Sequence, residues 1–79
     1  MTKLPILAYK DVEKVLKKVG FVPAPKRGKG SHLAYYRVDS KGHKALVIVP
    51  RTKSIPRGTL LSILKQADLS REEFLAELE

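Results

Sequence analysis

Seven consecutive residues, Lys26-Arg27-Gly28-Lys29-Gly30-Ser31-His32, combine the groups that cleavage of RNA requires. The glycines allow positive φ and a close approach of backbone to ligand. The lysines and the arginine offer charge to phosphate. His32 is the one side chain of the stretch able to give and take a proton near neutral pH. Together they describe a loop that attracts phosphate and ends in an acid–base group. The same residues would also suit a solvated hairpin loop with an incidental histidine. The surrounding elements must decide between the two.

Charge supports a polyanionic partner. The 79 residues carry 16 Lys and Arg against 8 Asp and Glu, a formal net charge of +8. Such an excess points to nucleic acid or to an acidic protein. Between residues 26 and 57, Asp39 is the lone acid among the basic residues, whereas the end of the chain reverses sign, with Asp68, Glu72, Glu73, Glu77 and Glu79 against Arg71. The middle of the chain therefore reads as the binding surface. With no cysteine, there is no disulfide framework and no zinc-knuckle spacing. No apolar run is long enough for a membrane span, and Pro5, Lys10 and Asp11 break any signal-peptide pattern. A cytoplasmic, single-domain protein over residues 1–79 is expected. A chain this short buries only roughly 60% of its surface, so a partner would stabilise its thin core usefully.

The elements that must position His32 can be read in order. Pro5 bars an early helix. Val12, Val15, Leu16 and Val19 recur at helical spacing, predicting a helix over Tyr9–Val19. Gly20 suits its C′ position, with Phe21 folding back on Leu16. Phe21–Pro25 reads as a short edge strand, because Pro23 and Pro25 cannot donate to a ladder. Ser31–Val38 and His43–Val49 read as two more strands around an Asp39–Gly42 turn, with Gly42 suited to the left-handed region. The near-continuous apolar run Ala45–Val49 suggests a central, well-covered third strand. Pro50–Ile55 is a basic connector. Pro56 suits N1 of a second helix over Pro56–Ala67, with an apolar stripe of Leu60, Ile63, Leu64 and Ala67. Free amides at Gly58 and Thr59, in its first turn, could meet a phosphate oxygen. Ser70-Arg71-Glu72-Glu73 fits a capping box opening a last short helix.

The result is an α+β chain, α-β-β-β-α plus a terminal helix. Helices would cover one face of a three-stranded antiparallel sheet and leave the other open. This is the layout of double-stranded RNA-binding domains, though a layout alone does not assign a function. With an Asp39–Gly42 turn, Val38 would pair with His43 and His32 with Val49. The two histidines would then stand roughly 20 Å apart, too far to form an acid–base pair or to share a metal. His32 would stand where Lys26, Arg27 and Lys29 approach from one side and Arg51, Lys53 and Arg57 from the other. Leu33 and Tyr35 would pack under the helices. His32 and Tyr36 would face outward, where Tyr36 could stack on a base or simply pack across strands.

Several segments resemble the HicA-type (YcfA-like) toxins of toxin–antitoxin pairs. They are Val19-Gly20-Phe21, Lys29-Gly30-Ser31-His32, Leu46-Val47-Ile48-Val49-Pro50 and, above all, the run from Ile55-Pro56-Arg57-Gly58-Thr59 to Leu69. The similarity covers about residues 9–79. It implies a double-stranded-RNA-binding-like fold, ribonuclease action on mRNA with the catalytic histidine at His32, and inhibition by a HicB-type antitoxin. The chain departs from the family's habit at Asp68, where a glycine is common, and at Arg51, where a histidine or another charged residue often stands.

Residues and resemblance together lead to a metal-independent endoribonuclease with no cofactor. His32 would be the general acid or base. Lys26, Arg27, Lys29, Gly30, Ser31, Tyr36, Arg51, Lys53 and Arg57 would hold RNA. Lys29 and Tyr36 are candidates for a second proton-transfer group. The alternative is a non-catalytic double-stranded RNA-binding module on the same basic surface. A bare protein-interaction domain with an acidic partner is a third possibility.

Overall fold

Local end signals and apolar spacing account for each observed element. The computed structural model of the chain describes residues 6–24 and 32–78. Helix α1 spans Tyr9–Lys18, strands β1, β2 and β3 span Val22–Pro23, His32–Val38 and Lys44–Pro50, and helices α2 and α3 span Arg57–Ala67 and Arg71–Leu78. The fold is α+β, with the element order foreseen from the sequence.

Helix α1 buries the stripe Val12, Val15 and Leu16. It opens with the Asp11 carboxylate accepting the Ala8 N–H at 3.1 Å. It closes as a Schellman motif. Phe21 N–H donates to the Leu16 carbonyl at 2.9 Å and Gly20 N–H to that of Lys17 at 3.2 Å. Gly20 has φ +97°, and a Cβ there would stand 3.4 Å from Arg37 Cδ.

Helix α2 buries Leu60, Ile63, Leu64 and Ala67, the expected stripe. Pro56 is its N-cap rather than its first helical residue, with ψ 147°. Ile55 explains the difference. It is buried and bridged antiparallel to Leu7, its N–H donating to the Leu7 carbonyl at 2.7 Å, so the chain is still extended there. The helix ends on Asp68 in the left-handed region, φ 58°. Helix α3 opens with the foreseen capping box, Ser70 N–H to Glu73 Oε1 at 2.9 Å and Glu73 N–H to Ser70 Oγ at 3.0 Å. Its Phe74 is fully buried.

The antiparallel sheet has the order β1-β2-β3. Strand β2 is therefore central and β3 an edge, which corrects the expectation of a central third strand. The apolar run of β3 has a different cause. Val47 and Val49 enter the core with Tyr35, while Leu46 and Ile48 face the open side of the sheet.

The register also differs by one residue. His32 pairs with Pro50 and Leu33 with Val49, where His32 with Val49 was expected. The loop is the reason. Asp39 N–H donates to the His43 carbonyl at 2.9 Å, so Asp39 and His43 close a loop of Ser40, Lys41 and Gly42. Gly42 takes φ +83°, and the Asp39 Oδ1 accepts the N–H groups of Lys41 and His43 at 2.9 Å each. A type I turn followed by a left-handed residue fits these bonds. The hydrophobic pattern agrees. The observed register puts Val47 and Val49 on the helix side, and a one-residue slip would turn them outward.

Candidate nucleic-acid interface

The site begins with an alternation along β2. Leu33, Tyr35 and Arg37 turn toward the helices. His32, Tyr36 and Val38 are exposed on the other face. The expected facing of His32 and Tyr36 holds. They are four residues apart, roughly 13 Å at about 3.3 Å per residue.

Strand pairing sets what surrounds His32. Its cross-strand neighbour is Pro50, so the connector carrying Arg51 and Lys53 leaves from the same end of the sheet. The connector is pinned from below. Tyr9 N–H donates to the Thr52 carbonyl at 2.9 Å, and the Arg51 guanidinium lies 6.0 Å from the Tyr9 ring centroid. Arg51, Lys53 and Arg57 are exposed, the last opening α2. Lys26, Arg27, Lys29, Gly30 and Ser31 lie outside the described residues. Of the two basic approaches expected around His32, the described residues thus place the connector's backbone at that end, with the Arg51 guanidinium turned to Tyr9 of α1.

His43 stands at the far end of the hairpin. Its Nδ1 lies 3.3 Å from Asp39 Oδ2. The Asp39 carboxyl is held below its ordinary range chiefly by the His43 backbone N–H, which with the Lys41 N–H and the His43 side chain outweighs the opposing effect of desolvation. His32 and His43 cannot act on one atom, as the spacing along the strand required. Among the described residues, no cluster of three or more His, Cys, Asp or Glu side chains is placed to hold a metal ion. No described helix is long and apolar enough to cross a membrane.

Two side chains of β2 tie the site to the core. The Tyr35 hydroxyl donates to Glu13 Oε2 on α1. Burial, and then that bond, push the hydroxyl well above the ordinary tyrosine range. Glu13 also pairs with Lys17 at 3.6 Å. Arg37 donates to the Val19 carbonyl at 2.9 Å and lies 4.8 Å from the Phe21 ring centroid. Arg37 thus counts toward the basic middle of the chain yet serves the end of α1. Neither partnership had a signal in the sequence, because each joins residues far apart in the chain. A hollow of about 290 Å³ opens beside Tyr36, lined also by Ala24, Lys44, Ala45 and Leu46.

An exposed imidazole at the end of an open sheet face, beside a basic connector, can exchange protons with a bound polyanion. Among curated proteins, nothing matches the chain significantly. The family model described as the HicA toxin of bacterial toxin–antitoxin systems matches residues 9–69, a span running from the first residue of α1 past the end of α2. The chain belongs to the HicA toxin family.

Proposed function

We propose that this toxin is a metal-independent endoribonuclease of mRNA, acting in the cytoplasm as one domain, with His32 as its general acid or base. The observation that carries the reading is the placement of His32, exposed on the open face with the basic connector leaving from the neighbouring strand. In the forward step the imidazole takes the proton of a ribose 2′-OH. The 2′ oxygen then forms a bond to the adjacent phosphorus as the bond to the 5′ oxygen breaks. The departing oxygen receives a proton, and a 2′,3′-cyclic phosphate remains. Lys26, Arg27, Lys29, Arg51, Lys53 and Arg57 hold the phosphates and offset the charge that develops. Gly30 and Ser31 let the backbone approach. Tyr36, four residues along the strand, is better placed to stack on a neighbouring base than to exchange the same proton. A HicB-type antitoxin is the partner that restrains the activity, consistent with the family and with a net charge of +8.

The test is cleavage of single-stranded RNA in the presence of a chelator. Wild type should cleave. His32→Ala should lose at least about 10²-fold in rate while staying folded, as its melting curve would show. Undiminished cleavage by that variant would remove His32 from the chemistry. Salt-sensitive binding without any cleavage would instead identify a double-stranded RNA-binding module.

A further inference from the structure

The two edges of the sheet are finished differently. In an antiparallel ladder, successive residues turn their N–H and C=O alternately toward and away from the neighbour. On β1, Ala24 N–H donates to the Ala34 carbonyl at 2.8 Å, so Pro23 points outward. Proline has no N–H, and that edge is blunt. On β3, Asp39 N–H donates to the His43 carbonyl, so Lys44, Leu46, Ile48 and Pro50 point outward. Pro50 lacks a donor, and the Ile48 N–H is taken by Gln66 Oε1 from α2 at 3.1 Å. The half of the edge near His32 is thus closed. The N–H and C=O groups of Lys44 and Leu46 remain directed outward, and among the described residues no strand pairs with β3 on that side.

A groove of about 430 Å³ runs beside this open half, between the hairpin and the end of α2. Arg37, Lys44, Lys65 and His43 line it, with Asp39 and Asp68. Asp39 is already committed to the loop amides. The adjoining open face carries an apolar patch of Val22, Tyr36, Val38 and Leu46, each between 43% and 48% exposed.

We infer that an extended, acidic segment of the partner protein adds to β3 as a fourth strand at Lys44–Leu46. Main-chain bonds supply the pairing, as in other strand additions. Alternate side chains of the added strand meet the apolar patch on one face and the α2 side of the groove on the other. Acidic residues suit Lys44 and Lys65. A second copy of this chain would bring a further +8 to the same edge, which charge repulsion opposes. The inference rests on the antitoxin reading for the identity of the partner.

The experiment is amide hydrogen exchange on the full-length His32→Ala toxin, alone and with a purified HicB-type antitoxin. Exchange at Lys44 and Leu46 should slow at least tenfold in the complex. Leu46→Pro removes an outward N–H without touching the ladder to β2. It should weaken antitoxin binding at least tenfold more than Leu46→Ala does. Lys44→Glu combined with Lys65→Glu should weaken it similarly, covering the case in which the proline variant does not fold. Tight binding with unchanged exchange at both amides overturns the strand addition and leaves the antitoxin as partner. Absence of any binding overturns both readings. Equal protection by RNA, or by self-association at high concentration, assigns the edge to that occupant instead.

Discussion

Tyr35 shows how one residue can join the site to the scaffold. Its ring fills the core between β2 and α1, and its hydroxyl reaches Glu13. A bond to a charged acceptor in a partly buried place is worth about 1–2 kcal/mol, so Tyr35→Phe should lose that much in denaturant unfolding. The pH dependence has a definite sign. The folded-state value lies above the unfolded value of 10.0, so the contribution is whole below pH 10 and fades as pH rises past it. The gap in stability between wild type and Tyr35→Phe should therefore narrow above about pH 10. A gap that widened there would mean that the hydroxyl is not held protonated by its surroundings. Nothing in the sequence joined Tyr35 to Glu13. The strand pattern put Tyr35 under the helices, but which helical residue meets it depends on how α1 lies across the sheet.

At the scale of elements, the ends of helices were the most legible part of the chain. Gly20 and Phe21, and Ser70 with Glu73, act through neighbours a few residues away, so their types and spacing suffice. Strand order and register were not so local. Asp39-Ser40-Lys41-Gly42 is compatible with a loop of two residues or of three. The Asp39 side chain and the left-handed Gly42 select the longer one. The apolar run of β3 was equally consistent with a central strand or with an edge that helix α2 flanks. Asp68 supplies a prediction at this scale. It ends α2 at φ 58°, with its N–H bonded to the Lys65 carbonyl at 3.2 Å and that of Leu69 to Leu64 at 2.9 Å. A side chain in the left-handed region costs about 1 kcal/mol, partly recovered by the smaller unfolded-state entropy of a non-glycine residue. Asp68→Gly should therefore raise stability by about 0.5–1 kcal/mol, read as a higher denaturant midpoint at constant slope. A lower midpoint would show that the carboxylate makes a compensating contact.

For the molecule as a whole, stability is spread over distant parts of the chain. Phe74 of α3 sits in the same cluster as Val12, Val47 and Leu60, and Lys18 of α1 donates to the Glu77 carbonyl at 2.8 Å. A domain of this length has about 4–12 kcal/mol of stability in all. Phe74→Ala costs about 3–5 kcal/mol, so it should leave a large unfolded fraction at 37 °C by circular dichroism. A cooperative melt near that of wild type would show that α3 is an accessory to the core.

Such long-range closure bears on when the protein can act. The connector beside His32 takes its shape from Leu7, Tyr9 and Thr52, and the hydrophobic interior is unfinished until residue 74 joins it. A chain that has not yet gained residue 74 therefore lacks a sealed interior. On the endoribonuclease reading proposed above, cleavage of RNA must wait until residue 74 has joined the core.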